Sequence, residues 1–220
     1  MHRDLVLMLL ADARLPVAGH TQSGTLEPAV RDGLGADGVP AYARSRLRTV
    51  TTVEAAAAVV ARHLVLGRGA ADLEDLEEAW EARSPSAPLR EASRRQGRAL
   101  LRLARRTWPG AVALDALPPA PPRALVLGAV AASLELDAAG LARLVGYDDV
   151  QTVCAASLKL LPLDPTVVTG WVAALLPDVE ALTASVSHLT DVDDLPAPGS
   201  PLIEAWAQAH AVTSRRLFHA

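Results

Sequence analysis

Apolar residues recur along this chain at the spacing of one face of an α-helix. The i, i+3, i+4, i+7 pattern and the long Ala/Leu-rich stretches predict helices, and no stretch shows sustained strand alternation. The predicted helices lie at 51–66 (Ala/Val-rich and nearly buried), 72–83 (charged and exposed), 89–106 (basic on its outer side), 150–161, 168–176 and 202–217. The pattern therefore predicts an all-α fold.

Proline and glycine divide these helices into a compact series. Loops are predicted at 84–88 and 191–201, and four prolines fall within 117–122. A proline cluster of this kind forms either a rigid crossover or a linker between two lobes. We expect about ten helices in a single-domain bundle over residues 1–220, with the crossover at 117–122.

The composition supports a helical core. Hydrophobic residues make up 50% of the 220 positions and aromatic residues only 3%, so alanine, leucine and valine supply most of the apolar content. Alanine and leucine are strong helix formers, and small side chains allow helices to pack closely. A chain of this length buries roughly 70% of its unfolded surface and needs no disulfide to fold.

The charge and the cysteine content restrict the function classes. A net charge of −4 argues against nucleic-acid binding, which usually requires a basic balance. Cys154 is the only cysteine and cannot form an internal disulfide, which favours a reducing compartment. The apolar run at 5–11 is too short to span a membrane. We therefore expect a cytoplasmic protein with no membrane partner.

Candidate catalytic and metal-binding chemistry is sparse. No two of the six histidines are spaced i, i+3 or i, i+4, as a helical metal site would favour, so no metal site and no cofactor are predicted. Ser23 lies in a Gln-Ser-Gly sequence that lacks the nucleophile-elbow pattern, and no phosphate-binding glycine loop occurs. We assign no catalytic residue and interpret the chain as a non-enzyme.

Two acidic clusters leave one enzymatic alternative open. A helical Mg²⁺-dependent enzyme would need Asp148 and Asp149 to converge with Asp193 and Asp194 on one cavity. The simpler interpretation is charge at a helix N-terminus and in a solvated loop. A helical ligand-binding regulator is a further alternative, but no helix-turn-helix with basic recognition positions stands out.

Both ends of the chain carry unusual segments. Residues 15–27 place Pro16, glycines and Ser23 at short intervals, where Ser23 can cap the following helix. The last residues combine two arginines with Leu217 and the only phenylalanine, Phe218. Because terminal segments usually fray and are polar, we expect this one to be held by its own core or by a partner.

Four segments, in the same order along the chain, resemble the urease accessory protein UreF family. They are the Leu-Pro-Val-Ala-Gly…Ser-Gly-Thr-Leu-Glu motif at 15–27, the Leu-Arg…Gly…Leu helix at 89–100, the Leu-Pro-Leu segment at 157–163, and the closing Pro…His…Arg-Leu-Phe pattern at 201–218. Each motif is weak alone, but the ordered set is specific. Gly97 within the second segment is unfavourable in a helix by about 1 kcal/mol, which suggests close packing there.

This resemblance implies a non-enzymatic scaffold for urease maturation. It implies a homodimer that bridges the accessory protein UreD (also called UreH) and the GTPase UreG, so that nickel reaches apo-urease. Arg90 and Gly97 would support packing and the dimer. The residues expected to shape an N-terminal surface loop and the adjoining partner-binding face are Pro16, Gly19, His20, Ser23, Gly24, Leu26, Glu27, His210, Arg215, Arg216, Leu217 and Phe218.

The sequence departs from the family pattern at several motif positions. His20 replaces the usual aromatic residue, Ala18 a glycine, and Ala220 the terminal serine, while Asp164-Pro165 replaces Gly-Gln. These departures bear on partner binding more than on the fold. A divergent paralogue with other partners is therefore a further alternative.

Overall fold

The computed structural model describes residues 2–17, 21–67, 73–214 and 217–218. Within these ranges no residue lies in a β-strand, and the all-α prediction is confirmed. The α-helices are α1 (Arg3–Leu10), α2 (Leu26–Arg31), α3 (Val39–Leu47), α4 (Val50–Gly67), α5 (Leu73–Ala82), α6 (Ala87–Thr107), α7 (Arg123–Ser133), α8 (Ala138–Leu160), α9 (Pro165–Val186) and α10 (Pro201–Ala211).

The centre of the fold is the contact between α4 and α7. The predicted burial of α4 is confirmed, because its residues from Ala55 to Ala61 are all buried. A Cβ added to Gly128 of α7 would lie only 2.6 Å from the carbonyl oxygen of Ala58. Small residues on both helices therefore let the two backbones approach closely, as the alanine-rich composition suggested.

The core is organised around α8, which is shared by two hydrophobic clusters. Its first half packs with α1, α4 and α7. Its second half packs with α2, α3, α9 and α10, and Phe218 belongs to this second cluster. The long helix thus connects the central α4–α7 pair to the region where the two ends of the chain meet.

Several helix boundaries differ from the sequence prediction. The helix predicted at 150–161 begins at Ala138, where the Asp137 carboxylate accepts the N–H of Gly140 as an N-cap. Asp148 and Asp149 are therefore in mid-helix, and the prediction that they mark a helix N-terminus was wrong. The last helix ends at Ala211, so the remainder of the segment predicted at 202–217 lies outside it.

The proline-rich segment at 117–122 is a packed crossover between α6 and α7. Its Pro121 and Pro122 are buried. A Cβ on Gly97 of α6 would clash with the carbonyl oxygen of Pro121 and would lie 3.0 Å from the carbonyl carbon of Pro122. The close packing suggested by Gly97 is thus present, and the neighbouring element is this crossover.

Two helical stretches are long and apolar enough to cross a membrane. They are Ala36–Gly67 and Pro165–Val186, and 56% and 28% of their most apolar windows are buried. The first stretch contains α4, whose apolar character is explained by its central position. The second is α9, which presents a largely exposed and apolar outer side.

Candidate functional site

The N-terminal motif ends in a tight turn that leads into α2. Gly24 and Thr25 have φ angles of 56° and 59°, in the left-handed region that favours glycine. Thr25 is stabilised there by its hydroxyl, which lies 2.5 Å from the hydroxyl of Tyr42. The Tyr42 hydroxyl also donates to the carbonyl oxygen of Gly24 at 2.6 Å. Ser23 accepts the N–H of Glu27 at 3.4 Å, so it does help to cap α2.

This turn directs the carboxylate of Glu27 into the protein. The Glu27 side chain is only 3% exposed. Its Oε1 accepts the backbone N–H of Leu217 at 2.8 Å, and its Oε2 accepts that of Phe218 at 2.9 Å. Arg31, one helical turn later, donates to Oε1 at 2.6 Å and balances the charge. The N-terminal motif therefore binds the backbone of the C-terminal segment.

His210 completes the attachment of the C-terminal segment. Its Nε2 lies 3.2 Å from the carbonyl oxygen of Phe218 and 4.0 Å from Oε2 of Glu27. The ring of Phe218 is 3% exposed, and Nζ of Lys159 lies 5.2 Å from its centroid. Both the N–H and the C=O of Phe218 are thus bound, which fixes the direction of the chain at this point.

Aromatic contacts hold α10 against α2 and α3. The rings of Tyr42 and Trp206 are 5.8 Å apart, and the indole N–H of Trp206 donates to Asp32 at 2.8 Å. Trp206 therefore joins α10 to the residue that follows α2. These contacts place His210, four residues later on the same helix, beside Glu27.

A buried ion pair packs against the turn at Gly24. Arg46 of α3 donates to Asp149 of α8 at 2.6 Å, and Thr51 donates to the same carboxylate at 2.9 Å. Burial disfavours the Arg46 charge, but the Asp149 carboxylate and Tyr42 together raise the pKa of Arg46 above its ordinary value. Arg46 also lies 3.3 Å from where a Cβ on Gly24 would stand. The sequence pattern gave no signal for Arg46, whose partner is 103 residues away.

The structure brings together seven of the residues predicted for the partner-binding face. They are Ser23, Gly24, Leu26, Glu27, His210, Leu217 and Phe218. The expectation of a surface loop was wrong for three of them, since Ser23, Leu26 and Glu27 are at most 2% exposed. Leu217, at 61%, is the member of this group whose side chain faces solvent.

The other predicted residues lie elsewhere. Pro16 is exposed in the loop after α1. Arg90 lies on α6, where it donates to the carbonyl oxygens of Ser84 and Pro85 at 2.7 and 3.0 Å. Gly97 packs on the proline crossover. Four predicted residues are outside the described part of the chain: Gly19, His20, Arg215 and Arg216.

The acidic clusters do not form the Mg²⁺ site that the enzymatic alternative requires. Asp148 and Asp149 line a central cavity of about 120 Å³, where they pair with Arg123 and Arg46. Asp193 lines a separate surface cavity beside α5. Among the described residues, no group of three histidine, cysteine, aspartate or glutamate side chains is placed to hold a metal ion.

Comparison with known proteins identifies the family of this sequence. The sequence model of the UreF family matches residues 34–176. The urease accessory protein UreF of Mycobacterium sp. (strain JLS) is 38% identical over 217 residues, which is 96% of each chain. The chain belongs to the UreF family. The UreF proteins of Mycolicibacterium vanbaalenii and Mycobacterium tuberculosis are 37% and 36% identical and cover 96% and 97% of this chain.

Membership in the UreF family implies a role in urease maturation. The structure explains one departure from the family pattern, Asp164-Pro165. Asp164 is the N-cap of α9 and accepts the N–H of Thr166 at 2.7 Å, while Pro165 is the first helical residue. Asp164-Pro165 is therefore a helix start signal in this UreF-family chain. The departures at Ala18, His20 and Ala220 lie outside the described residues.

Proposed function

We propose that this chain is a non-enzymatic scaffold that bridges UreD/UreH and the GTPase UreG and so helps to deliver nickel to apo-urease. The observation that carries the proposal is the attachment of the C-terminal segment to the N-terminal motif through Glu27. Two segments that resemble the family motifs, near opposite ends of the sequence, are thereby joined. Nickel is the cargo of the assembly in this proposal, and the chain needs no cofactor of its own.

The arrangement is suited to presenting apolar side chains to a partner. Glu27 and His210 fix the backbone at Leu217 and Phe218, while the Leu217 side chain stays 61% exposed. Val212, just after α10, is 87% exposed. Exposed apolar side chains on a fixed backbone lose little entropy on binding, which favours a specific protein contact. We assign this face to the recruitment of UreG.

The outer side of α9 supports a homodimer. Val167 and Leu176 are 49% and 45% exposed, and the helix carries only two charged residues, Asp178 and Glu180. A symmetric dimer buries the same patch from both copies, so an uncharged apolar face of this kind suits self-association. Arg90 and Gly97, first considered for the dimer, are both engaged within the chain. The assembly would form in the cytoplasm.

Removal of residues 214–220 tests the proposal. The full-length chain is expected to be a dimer and to co-elute with the UreD/UreH and UreG proteins of its host in size-exclusion chromatography with light scattering, with and without GTP. The truncated chain should keep its helical circular dichroism but lose UreG. Leu66→Ala, at a 55% exposed leucine on α4, is the matched control. Unchanged UreG recruitment by the truncated chain would contradict the site assignment, and a monomer that ignores both partners would support a divergent paralogue.

A further inference from the structure

Positive charge is concentrated on one helix of an otherwise acidic chain. Helix α6 carries seven arginines and one glutamate, a net charge of +6. Since the whole chain has a net charge of −4, the residues outside α6 carry −10. A helix does not need a net charge of +6 to be solvated. This contrast with the rest of the chain makes the surface of α6 the basic side of the molecule.

Three of these arginines bind other elements of the fold. Arg94 pairs with Glu77 and Glu81 on α5 and lies over the ring of Trp80. Arg90 binds carbonyl oxygens of the loop before the helix, and Arg105 donates to the carbonyl oxygen of Leu114 at 2.7 Å. These side chains stabilise the fold.

The other four arginines form a row, which we call the arginine ridge: Arg95, Arg98, Arg102 and Arg106. Arg102 and Arg106 are exposed, and Arg95 and Arg98 are partly exposed. Their spacings of three and four residues place them on one face of α6, over roughly 16 Å of helix length. Glu91 is the acidic side chain that pairs with Arg95 and Arg98. Arg102 and Arg106 make no hydrogen bond or ion pair with any described residue.

An apolar groove opens at the N-terminal end of the ridge. Arg95 and Glu91 line it together with residues of α10, and its volume is about 540 Å³. Its apolar lining comes from Ala87, Pro88, Leu89, Ala207 and Ala211. The groove also reaches His210, which holds the C-terminal segment. The ridge is thus continuous with the face that we assign to partner recruitment.

We propose that the arginine ridge and this groove bind an acidic polypeptide segment of a partner protein, with an apolar side chain entering the groove. Guanidinium groups form paired hydrogen bonds with carboxylates, and the spacing of the ridge matches carboxylates on one face of a helix. A nucleic acid would extend beyond the single row and meet the acidic remainder of the molecule. If the proposed function holds, the partner is an accessory protein. Only this identity of the partner rests on the proposed function.

A labelled acidic peptide tests the ridge directly. The probe is a fluorescein-labelled 16-residue helical peptide with glutamates at i, i+3 and i+4 and a terminal leucine, and a glutamine version serves as its control. The Arg98→Gln/Arg102→Gln/Arg106→Gln variant should bind the acidic peptide at least tenfold more weakly than the wild-type chain. The Arg3→Gln/Arg14→Gln/Arg48→Gln variant removes the same charge at exposed sites and should stay within twofold of wild type.

Several results would overturn the inference. These are equal binding by the ridge variant, equal loss in the control variant, equal binding of the glutamine peptide, and tighter binding of duplex DNA or phosphatidylglycerol vesicles. If the wild-type chain forms a concentration-dependent dimer and the ridge variant does not, the ridge binds a second copy of this chain and not another protein. Circular dichroism verifies that each variant is folded.

The complex with accessory proteins separates this inference from the proposed function. If the wild-type chain binds UreD/UreH and UreG and the ridge variant binds them equally at every salt concentration, the ridge is not the partner site and the scaffold function stands. If the wild-type chain binds neither protein, the scaffold function fails, while the peptide measurement still decides the chemistry of the ridge.

Discussion

The carboxylate of Glu27 accepts the backbone N–H of Phe218 at 2.9 Å, across 191 positions of sequence. Hydrogen bonds to a charged, buried acceptor are among the stronger ones in proteins, and this carboxylate receives two backbone donors and one arginine. The N-terminal motif therefore fixes the C-terminal backbone from inside the protein.

The first prediction concerns the charge of Glu27. Glu27→Gln keeps the size of the side chain but presents an amide NH₂ to one of the backbone donors, so we expect a loss of about 1–3 kcal/mol in the free energy of opening the C-terminal segment. Hydrogen exchange at the Leu217 and Phe218 amides should become at least tenfold faster. Glu91→Gln, on an exposed carboxylate of α6, is the control. Unchanged exchange in Glu27→Gln would show that the carboxylate does not hold the segment.

The second prediction separates the two residues that Glu27 binds. Phe218→Ala removes a buried ring and should destabilise its packing by about 3–5 kcal/mol. Leu217→Ala changes a side chain that is 61% exposed and should alter stability by no more than about 0.5 kcal/mol. If Leu217 contacts UreG, its variant will nevertheless bind UreG more weakly. Urea denaturation and a binding titration distinguish these effects, and wild-type affinity in Leu217→Ala would remove it from the interface.

The third prediction uses two helical glycines with opposite surroundings. Gly97→Ala places a Cβ against the backbone of Pro121 and Pro122, so overpacking should lower the free energy of unfolding by about 1–3 kcal/mol despite alanine's higher helix propensity. Gly170→Ala, on α9, has no atom within 4 Å of the added Cβ and should stabilise the chain by up to about 1 kcal/mol. Urea denaturation measures both, and equal effects would contradict the packing argument.

The fourth prediction concerns the pH dependence contributed by Glu54. Its side chain lines the central cavity and accepts hydrogen bonds from Trp80 at 2.8 Å and from Ser93. Burial raises the pKa of Glu54 above its ordinary value of 4.5, and the two donors only partly offset this. A raised pKa means that the folded state prefers the protonated acid.

The sign of the effect follows from linkage. The contribution of Glu54 to stability is fully present below its unfolded pKa and is lost as the pH rises through its folded pKa. Glu54→Gln keeps an acceptor for Trp80 but does not titrate, so its stability relative to wild type should increase as the pH rises above about 4.5. Urea denaturation of both proteins from pH 4 to pH 8 measures this difference. A difference that stays constant with pH would contradict the raised pKa.

Local sequence patterns determined most of the longer helices of this protein, although they did not locate α3 or α7. The periodicity behind α4, α6 and α9 depends on contacts between residues three and four positions apart, so it can be recognised without knowing the fold. The same holds for Gly97, whose unfavourable place in a helix indicated close packing. The attachment of the C-terminal segment was expected in general terms, because an apolar, aromatic end is unusual.

The tertiary structure alone decided which groups meet. The buried position of Glu27, the Arg46–Asp149 pair and the contact of Gly97 with the proline crossover each join residues that are far apart in sequence. The local sequence does not show whether Asp149 pairs with an arginine or binds a metal ion, because a carboxylate can fill either role. Only the packing of α3 against α8 brings Arg46 within hydrogen-bonding distance and satisfies both buried charges.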